Sequence, residues 1–177
     1  IRSWLGKTLT DALGTVKDAT TLQLLLHVLA HKVLEDSLIS PGIAQIAISL
    51  ITARITMKSS ALHHWPLEVK ISALNALQTM SSLQDLIHKA ATATIPSLLK
   101  KLASYLIKLT VYVVRPKSQS SGRQASNGRK APPSRGREEP LDTSGRLHLI
   151  KATLECMHQW LCEAPWVMQL ADVADLL

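Results

Sequence analysis

Phenylalanine is missing from this chain of 177 residues, and aromatic side chains make up only 3% of it. The strands of a β-sandwich favour aromatic and β-branched residues, so this composition argues against one. Apolar residues nevertheless reach 46%, which is normal for a globular protein and too many for a disordered one. The core must therefore be aliphatic, and many small layers of packed helices suit that requirement best.

Long apolar runs are missing as well. The longest uncharged run, residues 37–53, contains Pro41 and Gly42, and a membrane span needs about 20 mostly apolar residues. Residues 95–114 have the length but include three lysines. We therefore expect no transmembrane helix and interpret residues 95–114 as an amphipathic helix.

Cysteine is scarce. Cys156 and Cys162 lie six apart on one predicted helix and point in different directions, so they cannot easily bridge each other. Cys156 and His158 also diverge, by about 200° around the helix, which argues against a metal site. We predict two free thiols buried in a core, in a reducing compartment, and hence an intracellular protein of the cytoplasm or nucleus.

Segments with a 3.6-residue apolar period follow one another along the chain. They cover residues 4–16, 18–33, 41–57, 66–77, 83–93, 96–114, 145–162 and 166–177. Asp18 and Ser40 are predicted N-caps, with Pro41 at a first helical position. No segment alternates long enough for a strand. The predicted fold class is therefore all-α, built from antiparallel helical hairpins.

Composition changes abruptly at residues 115–140, where Ser, Gly, Pro, Arg and Lys replace apolar residues. Such a segment cannot bury enough surface to offset its ordering entropy, so we predict a disordered loop. It separates a helical region at residues 1–114 from a C-terminal hairpin at 141–177 that packs on the same array. The loop has seven cations and two acids, a net +5 of the whole chain's +7, which leaves the helical remainder near neutral at +2.

Residues 43–80 resemble a HEAT or armadillo-type repeat. An apolar helix and a polar connection precede Trp65-Pro66, and the following helix has Val69-Lys70 and then small residues and leucine at Ala73, Ala76 and Leu77. The stretch is close to the period of about 40–47 residues of this class. The resemblance implies an α-solenoid, in which neighbouring helical pairs cover one another's apolar faces and the surface binds other macromolecules.

Because the chain begins at Ile1 and ends straight after a helix-like segment, we expect a fragment of a longer solenoid protein. We predict that its shared core includes Leu25, Leu29, Ile46, Leu50, Leu74, Leu77, Leu99 and Leu106.

Catalytic and metal motifs are also lacking. His27, His31 and Glu35 share a helix face, but no HExxH motif or further ligand accompanies them, so we interpret them as a solvated polar face. Ser97 and Lys100 have the S-x-x-K spacing of some serine acylases without the accompanying motifs. We predict no enzyme, cofactor or metal; an unrecognised helical active site would have to use the histidine pair.

Three of the four tryptophans are predicted to be packing residues. His63-His64-Trp65 lies in a connection, where adjacent residues rarely converge on one ligand, so Trp65 is predicted to cover the end of a hairpin. Trp160 and Trp166 are predicted to pack around the final helix pair, whereas an exposed tryptophan would indicate a binding hot spot.

Among all segments, the basic loop at residues 115–140 has the composition that most favours a function. Its cations could contact phosphates without sequence preference, and no aromatic residue is present for base stacking. Ser126, in Arg123-Gln-Ala-Ser126, resembles a basophilic kinase site, and a phosphate there would offset part of the +5. A solvated linker without a dedicated partner is the alternative. The candidate phosphate contacts are Arg123, Arg129, Lys130, Arg135 and Arg137.

We therefore predict a non-enzymatic protein–protein interaction scaffold. The alternative is a nucleic-acid- or chromatin-associated factor that contacts phosphate through residues 115–137.

Overall fold

The computed structural model describes residues 2–33, 41–57, 64–82, 94–114 and 143–169, and these residues contain helices and short connections without a strand. The all-α prediction is confirmed. The α-helices of the described residues are α1 (Arg2–Thr15), α2 (Ala19–Val28), α3 (Pro41–Thr56), α4 (Leu67–Ser81), α5 (Thr94–Val114) and α6 (Thr143–Glu163). A π-helical turn, Leu29–Val33, continues α2, and a 3₁₀-helix, Pro165–Gln169, follows α6.

Local signals account for the helix starts. The Asp18 carboxylate accepts hydrogen bonds from the Thr21 amide at 2.8 Å and the Thr21 hydroxyl at 2.6 Å, which caps α2 as predicted. These bonds stabilise the charged form and lower the pKa of Asp18 from its ordinary value. Pro41 is the first residue of α3, as predicted, and needs no hydrogen-bond partner for its nitrogen.

One helix end agrees with expectation and another differs. The β-branched end of α5 continues as helix to Val114, as predicted. The predicted last helix, residues 166–177, is instead a 3₁₀-helix over Pro165–Gln169 in its described part. The predicted helix at residues 83–93, the predicted loop at 115–140, the Ser40 cap and residues 170–177 lie outside the described residues.

The helices pack in two rows. α1 contacts α3 and α3 contacts α5; α2 contacts α4 and α4 contacts α6. We call α1, α3 and α5 the odd row, and α2, α4 and α6 the even row. The rows contact each other through the pairs α1–α2, α3–α4 and α5–α6. Each helix therefore has a neighbour two helices along the chain and a neighbour in the opposite row.

The aliphatic core lies between the two rows. Among the residues predicted for it, Leu29, Leu74, Leu77 and Leu99 are buried, and Leu25, Leu50 and Leu106 are half-buried. The hydroxyls of Thr52 and Thr153, which are also buried, donate to carbonyls one turn back in their own helices. The core of the described residues is therefore mainly aliphatic, with buried aromatic side chains at Trp65, Tyr105 and Trp160.

Ile46 was a wrong core prediction, because 58% of its side chain is exposed. The buried face of α3 contains Ala44, Ala47, Ile48 and Ile51. Ile46 lies on the opposite side of the helix, about half a turn away from that face. Because α3 is apolar on nearly all sides, its sequence pattern does not decide which side is buried.

Two polar contacts join neighbours within a row. The Arg54 guanidinium of α3 donates to the carbonyl oxygen of Gly14 at the end of α1, with an N–O distance of 2.7 Å. Since both residues lie near the C-termini of their helices, α1 and α3 run in the same direction. In the even row, the Gln23 amide of α2 donates to the Ser72 hydroxyl of α4 at 3.3 Å.

Candidate functional site

The outer face of α5 is the most distinctive described surface. α5 is strongly amphipathic, with a buried side that contains Leu98, Leu102 and Tyr105. Its opposite side presents one exposed stripe about 120° wide, which we call the α5 stripe. The α5 stripe consists of Lys100, Lys101, Ser104, Ile107, Lys108 and Val111, all of them exposed.

The α5 stripe combines cations with aliphatic side chains. Ile107 is 56% exposed and Val111 is 53% exposed, and they lie one turn apart. Lys108 follows Ile107 in the chain and lies to one side of the pair, and Lys100 and Lys101 precede them by about two turns. A surface of this kind suits a ligand that has both an apolar face and negative charge.

Exposed apolar residues also occur on the other helices of the odd row. Ile46 of α3 and Trp4 of α1 are both more than half exposed, and Met57 lies just beyond the end of α3. The even row exposes Leu24, Leu147 and Leu154. Both rows thus carry exposed large aliphatic residues, although the two differ in charge.

Charge is distributed unevenly between the rows. The odd-row helices contain six cations and one acid, Asp11, a net charge of +5. The even-row helices contain three cations and three acids, a net charge of zero. The sequence predicts a nearly neutral helical body, and among the described helices the packing places the net positive charge on the odd row.

Lys70 is a buried cation of the even row. Its side chain is 3% exposed, and its ammonium nitrogen lies 5.7 Å from the centre of the Tyr105 ring on α5. A cation over an aromatic face is stabilised by the negative potential of the ring. Burial raises the pKa of the Tyr105 hydroxyl to about 12, so the ring stays neutral. The contact joins the two rows.

The two cysteines have opposite environments. Cys156 is buried, and its burial raises the pKa of its thiol to about 12. Cys162 is exposed, so the prediction of two buried thiols is wrong for this residue. Six residues on a helix turn the side chain by about 240°, away from the core. The Cys162 sulfur lies 3.7 Å from Nε2 of His158, one turn earlier.

The candidate histidine pair lies at the junction between α2 and the π-helical turn. The rings of His27 and His31 are tilted by 39° relative to each other, with centroids 4.5 Å apart. Glu35, the third member considered, lies outside the described residues. Within the described ranges, no group of three His, Cys, Asp or Glu side chains is arranged to hold a metal ion.

The tryptophans divide into packing residues and one exposed residue. Trp65, just before α4, and Trp160 of α6 are buried, which confirms their predicted packing roles, and Trp166 is half-buried. The indole nitrogen of Trp160 has no hydrogen-bond partner among the described residues. Trp4 is 67% exposed, the condition under which a tryptophan can act as a binding hot spot.

The remaining sequence candidates lie on the outside of α5 or outside the described residues. Ser97 and Lys100 are both exposed on the outside of α5. All five candidate phosphate contacts and the candidate phosphosite Ser126 lie outside the described residues: Arg123, Arg129, Lys130, Arg135 and Arg137. The α5 stripe was missed from sequence because its lysines served only to exclude a membrane span. The signal was present: α5 contains no acidic residue.

Comparisons with protein-family models, with curated protein sequences and with solved structures find no match. Among the residues that the structure describes, no helix is both long enough and apolar enough to cross a membrane. The chain is an all-helical protein whose described part consists of six packed α-helices.

Proposed function

We propose that the chain forms an α-solenoid that acts as a non-enzymatic protein–protein interaction scaffold. The observation that carries this proposal is the serial contact pattern. Every helix of the described residues contacts the helix two positions along the chain or two positions before it, in both rows. Stacked helical hairpins produce this pattern, because each hairpin covers the apolar face of the next one.

The repeat resemblance agrees with this arrangement. Its two helices correspond to α3 and α4, which contact each other as a pair. The residues that carry the resemblance in α4 are buried: Val69, Ala73, Ala76 and Leu77. Small residues at two of these positions allow neighbouring helices to approach closely, as stacking requires.

The exposed aliphatic residues supply the surface for partners. A single exposed apolar side chain is ordinary on a protein surface, but several on one face can act together as a docking site. Ile46, Ile107 and Val111 lie on odd-row helices that pack side by side. We therefore place the main partner surface on the odd row.

A peptide library displayed on phage tests the proposal. Selection against the 177-residue chain should enrich helical peptides that bind saturably. The odd-row variant Ile46→Ser/Ile107→Ser/Val111→Ser should lose most of this binding. The even-row variant Leu24→Ser/Leu147→Ser/Leu154→Ser is the matched control and should retain it, with unchanged helicity by circular dichroism in both cases.

A library that yields no peptide bound better than its scrambled version would overturn the scaffold proposal. Peptides that bind to the even row alone would support a scaffold but contradict our choice of surface.

Nucleic-acid binding is the second candidate. The observation that favours it is continuity, since the three exposed lysines of α5 are followed in the chain by the seven cations of residues 115–137. Phosphate contacts of this kind weaken steeply as salt rises from about 50 to about 200 mM. Deleting residues 116–139 should then abolish binding of a single-stranded oligonucleotide, measured by fluorescence anisotropy.

A further inference from the structure

We infer that the α5 stripe binds an acidic amphipathic helix of a partner protein. This inference rests on the proposed scaffold function and names the class of partner. The stripe extends over twelve residues from Lys100 to Val111, which are eleven steps along the helix. At 1.5 Å per step this is about 16 Å, or three helical turns, enough to contact three turns of a partner helix.

The sign of the charge on the partner follows from the stripe itself. α5 and its odd-row neighbour α3 contain no acidic residue. None of the ammonium groups of Lys100, Lys101 and Lys108 forms an ion pair with a carboxylate of the described residues. Glu155 of α6, on the helix that α5 contacts in the even row, is instead 3.7 Å from Lys151. Within the described ranges, these lysines are therefore not neutralised by a carboxylate of the chain.

The aliphatic residues determine the kind of acidic partner. Ile107 and Val111 are one turn apart and more than half exposed, on the same stripe as the lysines. A helix that lays its apolar side against a surface uses anchors at this i, i+4 spacing. Acidic residues beside those anchors would then reach the lysines. A purely polar acidic chain would leave the two aliphatic side chains in water.

Other ligands fit less well. A nucleic-acid strand would use the lysines but find no aromatic ring on the stripe for base stacking. A membrane-bound surface helix inserts a continuous apolar face rich in Trp, Phe or Leu, whereas the stripe has two aliphatic residues among three lysines. The chain's own residues 115–140 have the same sign of charge as the stripe and would be repelled by it.

The test uses the 177-residue chain and a designed helical peptide of about 16 residues, long enough for three turns on the stripe. The peptide has leucines at i, i+4 and i+7 with flanking glutamates, and a matched peptide has glutamine in place of every glutamate. Fluorescence anisotropy measures the dissociation constants. We expect the acidic peptide to bind at least about tenfold more tightly than the glutamine peptide at low salt, because opposite charges steer and hold the complex.

Two variants and one control locate the contact. The charge-reversed variant Lys100→Glu/Lys101→Glu/Lys108→Glu should weaken binding of the acidic peptide at least about tenfold. The variant Ile107→Ser/Val111→Ser should weaken it about fivefold. The control Lys17→Glu/Lys151→Glu, at exposed positions away from the stripe, should change the dissociation constant of the acidic peptide less than twofold. A peptide with lysines in place of the glutamates should bind the charge-reversed variant, which distinguishes lost complementarity from misfolding.

Equal binding of the acidic peptide to the wild-type and charge-reversed chains would overturn the inference. So would a stripe-dependent affinity for an oligonucleotide, or for vesicles with about 30% phosphatidylserine, that exceeds the affinity for the peptide. Library peptides bound elsewhere on the chain would leave the scaffold function standing while this inference fails.

Discussion

The odd and even rows are built by the same packing rule and differ in what they present to solvent. The odd-row helices have a net charge of +5, and the even-row helices are neutral. The difference lies mainly in exposed residues such as Lys7, Lys100 and Lys108, since the inner faces of both rows are mostly aliphatic. Burial constrains the inner faces, whereas the outer faces remain free to vary with function.

The largest loss in the free energy of unfolding should come from a substitution in the core of the even row. Trp160→Ala removes a fully buried indole and should lower the free energy of unfolding by about 3–5 kcal/mol. Trp4→Ala, the exposed odd-row tryptophan, is the control and should change it by no more than about 0.5 kcal/mol. Urea unfolding followed by circular dichroism measures both values. Similar values for the two variants would contradict the assignment of Trp160 to the core.

The link between α1 and α3 should give the next largest effect. Arg54→Ala removes the charged donor to the Gly14 carbonyl and should cost about 1–2 kcal/mol. Lys7→Ala removes an exposed cation from the same row without this contact and serves as the control. Hydrogen exchange of α1 should accelerate in the Arg54 variant alone; equal rates in both variants would show that the contact does not hold α1 in place.

The contact between the rows should have a smaller effect. In a double-mutant cycle with Lys70→Met and Tyr105→Leu, we expect a coupling free energy of about 0.5–1 kcal/mol from the cation–ring contact. The cycle subtracts the packing changes of each single variant. Additive effects of the two substitutions would mean that this contact adds nothing beyond burial.

At neutral pH the smallest effect should come from Cys156, because its burial changes stability only at alkaline pH. Its pKa is raised to about 12 in the folded state, so the folded chain keeps its thiol proton where the unfolded chain loses it. The stabilisation is complete below pH about 8.5 and is lost as the pH rises towards 12. Cys156→Ala should therefore flatten the fall in stability above that pH, measured by urea unfolding. The pKa of Tyr105 is also raised to about 12. Because its hydroxyl ionises earlier in the unfolded chain, part of the fall in stability should remain above pH about 10.

Thiol labelling checks the burial of Cys156 and the exposure of Cys162 without a titration. At pH about 8 a thiol reagent should modify Cys162 in the folded chain and reach Cys156 only after unfolding. Cys162→Ser should thus abolish labelling of the folded chain. Rapid labelling of that variant would show that Cys156 is accessible.

The sequence predicted the helices well where the signal was local. The Asp18 cap and the Pro41 start are confirmed because each depends on residues within one turn. The burial of Ile46 was predicted wrongly, since a helix that is apolar on all sides gives no preferred face. The α5 stripe could have been found in part, because its lysines and the lack of acids are visible in the sequence of α5 alone.

The amino-acid sequence by itself determined that this protein is helical, that its core is aliphatic and where most of its described helices begin, because periodicity and capping act over a few residues. Only the tertiary structure decided that α1, α3 and α5 lie side by side and that their cations fall in one row. Charges far apart in the chain reinforce one another only after packing brings them within a Debye length, about 8–10 Å at ordinary salt.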